Sequence, residues 1–434
     1  MASRLVATGV AGLTRGLWPA CPVVSEVADS VPGMRILHTS DWHLGRTLHG
    51  VDLLGHQSAY LDHLVEVVRS EGIDAVVVAG DVYDRAIPPV EAVELLSSTL
   101  RRLLEVAQVV VSPGNHDSAA RLGFGADLMR EGLHVRARSR DVGTAVELHD
   151  AEGGLGALVY ALPYLDPDDA RHVLAGEDGP LARSHEAVTT AAMDRVRADV
   201  ATRRARGGAP VPTVLAAHTF VVGGEVSESE RDIRVGGVDS VPSGVLRGVD
   251  YVALGHLHGP QRVPVADLDG RRTVARYSGS PLAYSFSEMN HRKSSVVVDL
   301  RADGVHGEPE LIEAPVPRRL TEVRGTLEEI LGELGEAHVD CWTRVHVTDV
   351  SRPENLVARV RARLPHALAV LHEPPARAGD GAEAPHVTAA DPFDVCCDFV
   401  AHVRGGGESA APDETERAVL RRALENVFAA ERSA

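Results

Sequence analysis

The chain has 434 residues, 44% hydrophobic and 24% charged, which is long enough for more than one domain and ordinary enough to exclude wholesale disorder. With 44 basic and 62 acidic side chains its formal net charge is -18, so a polyanionic partner must be met by a local basic patch, by bound metal or by a second subunit. Cys21 and Cys341 are isolated and Cys396 and Cys397 adjacent. That pattern gives neither a disulfide framework nor a C-x-x-C zinc site, and a reducing cytoplasm is the expected location.

No apolar run approaches the roughly 18 residues of a membrane span. Lys293 is the single lysine, the other 43 of the 44 basic residues being arginine. That skew fits a GC-rich genome and by itself implies no function.

Residues 1–33 show no clear periodicity, and the first strand-like segment begins at Met34; this N-terminal extension is expected to lie outside the fold. Arg15 interrupts the apolar stretch from Leu5 to Ala20, which makes it a poor signal peptide. From Met34 to residue 315, short apolar runs alternate with helical patterns, the signature of a layered α/β domain. The runs are Ile36 to Leu37, Ala75 to Ala79, Val109 to Val111, Val214 to Ala217 and Tyr251 to Leu254. Between them Leu61, Leu64, Val65 and Val68 recur at helical spacing, as do Leu96, Leu100, Leu103 and Leu104 after Pro88-Pro89. The polar, arginine-rich segment from Asp166 to Pro212 is expected to be a helical insertion outside the sheet.

Residues 316–375 read as a small α/β domain, with strands at Leu320 to Val323, Trp342 to Val347 and Ala367 to Leu371 and helices from Thr326 and Pro353. A Gly/Ala/Pro-containing linker is expected over 376–390, followed in 391–434 by helices from Pro392 to Val403 and from Asp413 to Phe428. The second carries Val419, Leu420, Ala423, Leu424, Val427 and Phe428 on one stripe, with Asp413 and Glu416 spaced as a capping box.

All five apolar runs of the main domain end in polar residues able to bind metal. They read Ser40-Asp41-Trp42-His43, Gly80-Asp81-Val82-Tyr83-Asp84, Gly114-Asn115-His116-Asp117, Ala217-His218 and Gly255-His256-Leu257-His258. Carboxyl ends of strands in an α/β sheet are where ligand-binding loops converge, so one sheet edge is expected to gather all five. In an extended segment Asp41 and His43 would point to one side and share an ion, while His256 and His258 could serve two. Gly80, Gly114 and Gly255 are expected to permit sharp turns at the strand ends. Mixed imidazole, carboxylate and amide donors suit manganese, iron or zinc better than calcium. A two-ion centre of this kind supports phosphoryl-transfer hydrolysis at neutral pH.

The ordered set D-x-H, G-D-x-x-D, G-N-H-D, a lone His after a strand, and G-H-x-H resembles the calcineurin-like phosphoesterase superfamily. Within it, the phrases Leu37 to Gly45, Pro113 to Ser118 and Gly255 to Gln261 are similar to the SbcD family of nuclease subunits, over about residues 34 to 404. The resemblance implies a layered metallophosphoesterase sandwich domain (34–315) with a small α/β capping domain and C-terminal helices. It implies two divalent ions, with manganese as the expected metal. Asp41, His43 and His258 would hold one ion, Asn115, His218 and His256 the other, and Asp81 both. His116 would be the catalytic histidine acting on the departing oxygen. Asp117 would orient His116 or its loop, and Asp84 would support the ligands from behind.

The superfamily's protein phosphatases favour G-D-x-x-D-R-G and G-N-H-E, whereas Ala86 and Asp117 stand here. The resemblance further implies action on DNA, a coiled-coil ATPase partner of the SbcC type held by the C-terminal helices, and a homodimer. A small-molecule or cyclic-nucleotide phosphodiesterase and a non-catalytic scaffold are the alternatives. No G-x-x-x-x-G-K-[ST] loop is present in the sequence, so ATP hydrolysis is assigned to the partner. Arg318, Arg319, Arg324, Arg344, Arg352, Arg359, Arg361 and Arg363 make the small domain locally basic, as a phosphate-contacting face or as solvated helix surface.

Overall fold

The computed structural model describes residues 33–129, 132–150, 152–177, 179–207, 209–230, 240–268, 270–375, 392–404 and 411–431. The N-terminal extension (except Gly33) and the 376–390 linker therefore lie outside the described residues. The described chain divides into two compact units: residues up to Val347 with Asn355–Leu371, and Thr348–Glu354 with the residues from His372 onward.

The first unit is built on two six-stranded sheets. One runs Gly304–Glu313, Ser294–Arg301, Met34–Thr39, Ala75–Ala79, Gln108–Ser112, Leu133–Val135; the other runs Gln261–Val263, Val274–Tyr277, Tyr251–Gly255, Thr213–His218, Leu155–Leu162, Val146–His149. The central pairings are parallel, with Leu37 opposite Val76 and Val76 opposite Val109 in the first sheet and Val252 opposite Leu215 in the second. Segments such as Ala75-Val76-Val77-Val78-Ala79 are buried at every position. A β-branched run with no polar face suits a strand covered on both sides, as parallel strands are.

Alternation along each strand sorts side chains into three cores. Ile36, Ala75, Val77 and Val110 face Val159, Val214, Ala216 and Ala253 between the sheets. Leu37, Val76, Val78 and Val109 pack outward on Leu61, Leu64, Val65 and Leu96 of the helices Leu54–Ser70 and Val90–Leu103. Leu158, Tyr160, Leu215 and Val252 pack on Val188, Ala192, Met193 and Val196. Burying each such aliphatic side chain contributes about 1.5–3 kcal/mol before chain entropy is counted. The result is a helix, sheet, sheet, helix sandwich.

Two expectations need correction. The segment from Asp166 to Pro212 is helical, as Pro167–Val173 and His185–Ala205, but it is no insertion. Its apolar side is the outer layer of the second sheet, and its arginines sit at exposed or half-buried positions. The five motif strands also do not share one sheet: three lie in the first and two, Thr213–His218 and Tyr251–Gly255, in the second.

The small sheet, Leu320–Gly325, Trp342–Val347 and Ala367–His372, carries helices on its apolar side. Thr326 and Glu329 form a capping box at the first of these helices. Leu320 and Trp342 share a core with Leu48, Leu53, Tyr284 and Phe286 of the two-sheet part. In the second unit, Pro392–Val403 and Glu414–Glu431 are helices. Asp413 and Glu416 exchange backbone-to-carboxylate hydrogen bonds at 2.9 and 2.8 Å, the reciprocal geometry expected of that pair. No helix among the described residues is long and apolar enough to cross a membrane.

Candidate metal centre

Three of the motif strands end in loops whose backbone is bent away from the extended form. Asp41, His43, Asp81 and His256 adopt positive φ values of 54°, 46°, 49° and 105°. Left-handed backbone is costly for non-glycine residues, and its concentration at one place marks a site where function fixes the conformation. Asp41 and His43 therefore do not meet by strand alternation. The loop itself turns both inward, held by Asp41 N–H to Gly80 O and His43 N–H to Asp81 O, each at 3.0 Å.

The glycines divide by mechanism. Gly80 has φ +85°, and a Cβ there would lie 2.2 Å from Nδ1 of His218. Gly114 and Gly255 are not in the left-handed region; a Cβ would meet Asp81 Oδ1 at 2.2 Å and Ala79 O at 1.8 Å. Close approach of neighbouring strand ends, rather than a turn, requires glycine at both.

All seven residues expected to bind metal are brought together at the rim the two sheets share. Asp41, His43 and His258 form one buried group whose donor atoms lie within 4.8 Å of one another. His43 Nε2 and His258 Nε2 stand 3.1 Å apart. Two imidazole nitrogens on one ion at a metal–nitrogen distance of about 2.0–2.1 Å are separated by about 3 Å, so the spacing fits. Around Asn115 Oδ1 gather His218 Nε2 at 2.8 Å and His256 Nδ1 at 3.3 Å. Asp81 Oδ2 lies between the groups, 3.6 Å from His43 Nε2 and 3.3 Å from His218 Nε2.

Protonation agrees with a cation-binding role. Burial holds His43 and His256 well below the usual imidazole range, as neutral donors. Burial likewise pushes Asp41 up to about 6, opposed by His218 and His258. For Asp81 burial is outweighed by His218 and His43, and its carboxyl stays well below the ordinary range. His218 Nδ1 donates to Ala79 O at 3.0 Å, which leaves Nε2 facing two acceptor oxygens. Burial opposes its protonation, yet Asp81 and Asp41 raise it to about 9. So strong a pull on one proton marks a spot that favours positive charge, and this mixed nitrogen and oxygen set fits divalent cations.

His116 lies beside the donor groups, with a ring nitrogen within 4.8 Å of donor atoms of His43 and Asp81, and its imidazole is anchored from outside them. Nδ1 donates to the backbone carbonyl of Asp84 at 2.8 Å, while Nε2 faces the centre 4.0 Å from Asp81 Oδ2. Asp117 accepts from Gly114, Val82 and Tyr83 N–H at 2.9, 3.0 and 2.9 Å. It thus ties the third motif loop to the second, and burial beside Asp81 pushes it up to about 7. The Asp84 carboxylate lies 3.8 Å from His43 Nδ1 and 3.4 Å from Arg46.

Reading the sequence alone missed Ser229, Glu230, Glu288 and Lys293 behind His258, and Tyr284, whose ring centroid lies 5.3 and 5.6 Å from those of His43 and His258. None stands in a motif; the one signal was the solitary lysine. In the small domain Arg344 pairs with Glu322 and stacks on Phe286, and Arg363 pairs with Glu336. Part of that basic surface is therefore internally neutralised.

A buried cluster of this kind on a two-sheet sandwich defines a metallophosphoesterase, and the comparisons agree: residues 34–260 match the calcineurin-like phosphoesterase family, to which the chain belongs. Residues 316–404 match the family described as type 5 capsule protein repressor C-terminal domain. Within that class the chain is a member of the SbcD family of nuclease subunits. It is 40% identical to the D subunit of the SbcCD nuclease of Bacillus subtilis over 62% of this chain and 66% of that protein, and 37% identical to the Rhodobacter capsulatus counterpart over 69% and 75%. The alignment thus spans just under two thirds of the first relative's length. A solved structure from Thermus thermophilus aligns with 64% of this chain and 99% of its own at 15% identity and a TM-score of 0.36.

Proposed function

We propose that this chain is the nuclease subunit of a DNA-processing complex, a two-metal phosphodiesterase that uses manganese and works beside a coiled-coil ATPase of the SbcC type. Its substrates on this reading are double-stranded DNA ends and single-stranded or hairpin DNA, and its setting is the cytoplasm. The observation that carries the chemistry is the place of Asp81, whose Oδ2 lies 3.6 and 3.3 Å from histidines of the two donor groups. Asp41, His43 and His258 would hold one ion, Asn115, His218 and His256 the other, with Asp81 common to both. When bound, two such ions neutralise charge on a phosphoryl group and make water acidic enough to attack at neutral pH.

The chain's own groups do the rest. His116, anchored through Nδ1 to Asp84 O, holds its second nitrogen toward the centre. A proton there passes to the departing oxygen as the P–O bond breaks. Asp117 keeps that loop in place through three amide hydrogen bonds. The relatives are subunits of a complex by name, which supports an ATPase partner. In the second unit Phe399, Val403 and Val419 are 67%, 66% and 64% exposed, an apolar surface for a coiled-coil base of the helix-in-groove kind. A homodimer completes the proposed assembly.

The test is manganese-dependent degradation of duplex and hairpin DNA by the purified chain, with and without a co-purified ATPase. Hydrolysis of cyclic nucleotides or small diesters with DNA left intact would overturn the reading.

A further inference from the structure

The solitary lysine is buried directly behind His258, where composition alone gave it no meaning. Lys293 Nζ donates to His258 O at 3.0 Å, to Ser280 Oγ at 2.9 Å and to Glu288 Oε2. Three donors meet three acceptors, so the compact ammonium is fully satisfied. A guanidinium would bring five N–H groups and a planar fork into the same closed space. In a chain whose other 43 Lys/Arg positions are all arginine, this is a place whose three acceptors match a compact ammonium rather than a planar fork.

Hydrogen-bond directions carry the argument outward. Glu288, paired with Lys293, is ionised and can only accept. Ser229 Oγ contacts Glu288 Oε1 and lies 2.6 Å from His258 Nδ1. The single hydroxyl hydrogen of Ser229 goes to the carboxylate, so Ser229 Oγ must accept from His258, and Nδ1 must carry the proton. The direct approach of His258 Nδ1 to Glu288 Oε1, 3.3 Å, demands the same tautomer. Nε2 is then left with its lone pair, pointing at His43 Nε2 3.1 Å away. The backbone of His258 is held at both ends, N–H by Glu230 Oε1 at 2.7 Å and C=O by Lys293.

We infer that Lys293, Glu288 and Ser229 are positioning residues that fix the tautomer and orientation of His258, and so set the affinity of one of the two metal positions. The inference rests on His258 being a metal ligand. Outer hydrogen bonds of this kind change metal affinity about 10–100-fold when removed.

The test is titration of the metal-free full chain with manganese chloride, followed by calorimetry, for Ser229→Ala, Lys293→Arg and the paired variant Glu288→Gln with Lys293→Met. The pair removes both buried charges together, and Ser229→Ala removes none, so folding can be retained in at least one background. In Ser229→Ala and the paired variant one binding step should weaken about 10–100-fold and the other stay unchanged. Lys293→Arg should behave like the paired variant rather than like the parent chain. Cobalt(II) absorption of the same variants gives a second readout, with the spectrum of one site altered. His258→Ala in parallel separates the two levels of the argument. If His258→Ala kept both ions, the ligand assignment would fall. If His258→Ala lost one while Ser229→Ala and the folded paired variant bound both as the parent does, the positioning role would be overturned.

Discussion

Gly114 lies so close to Asp81 that a Cβ on it would stand 2.2 Å from the carboxylate Oδ1 and 2.4 Å from the Asp81 backbone nitrogen. Neither neighbour is the free end of a flexible chain, because Asp81 Oδ1 also accepts from His116 N–H at 2.8 Å. Gly114→Ala should therefore displace the carboxylate common to both donor groups. The expected result is about a 100-fold loss of cleavage, the scale of an ångström misplacement, together with reduced bound manganese in a folded protein. Elemental analysis beside circular dichroism checks this; parental metal content would contradict it.

His116→Ala should separate binding from chemistry. The imidazole is removed, but the backbone N–H that supports Asp81 remains. Metal content should equal that of the parent chain while cleavage falls about 10²–10⁴-fold, the usual contribution of a general acid. Asp81→Ala is the control that should lose metal. Equal metal loss in the two variants would show that His116 is itself a ligand.

His38 predicts a pH dependence of stability. It is fully buried between the sheets, with Nε2 donating to Leu254 O at 3.2 Å and Nδ1 accepting from Tyr251 O–H at 3.0 Å. Burial lowers it from 6.5 to about 3. Between those values the unfolded chain binds the extra proton, so stability contributed by neutral His38 is complete above pH 6.5 and is lost as pH falls toward 3. With a chelator present, His38→Asn should flatten the stability profile in that window by about 1.4 kcal/mol per pH unit. Denaturant unfolding at several pH values measures it, and an unchanged slope would refute the assignment.

The C-terminal helices predict a partner phenotype confined to assembly. Phe399 and Val419 are exposed, whereas Leu420 and Leu424 are half-buried; the stripe positions Val427 and Phe428 lie outside the described side chains. Phe399→Asp with Val419→Asp should abolish co-purification with the ATPase and leave manganese-dependent cleavage of short DNA unchanged. Leu420→Asp with Leu424→Asp should also loosen the helix, because those side chains are partly packed. Intact assembly in the exposed-site variant would show that another surface binds the partner.

Much of this protein is local and was therefore readable as sequence. The β-branched runs specify the strands, the Asp413 to Glu416 spacing specifies a helix start, and the strand-end motifs pick out Asp41, His43, Asp81, Asn115, His218, His256 and His258 as candidate donors, with His116 beside them. Propensity, capping and strand-end position act within a few residues, so a linear pattern carries them. Only the tertiary structure decided that the donors come from two sheets, because contacts such as His43 with His258 join residues 215 positions apart. It also decided the left-handed backbone at Asp41, His43, Asp81 and His256, which opposes local preference and is imposed by loops packed against one another. The meaning of Lys293 belongs to the same level. A lone lysine is a compositional remnant until folding buries its ammonium beside Glu288 and the carbonyl of His258, where its acceptors match a point charge rather than a planar fork.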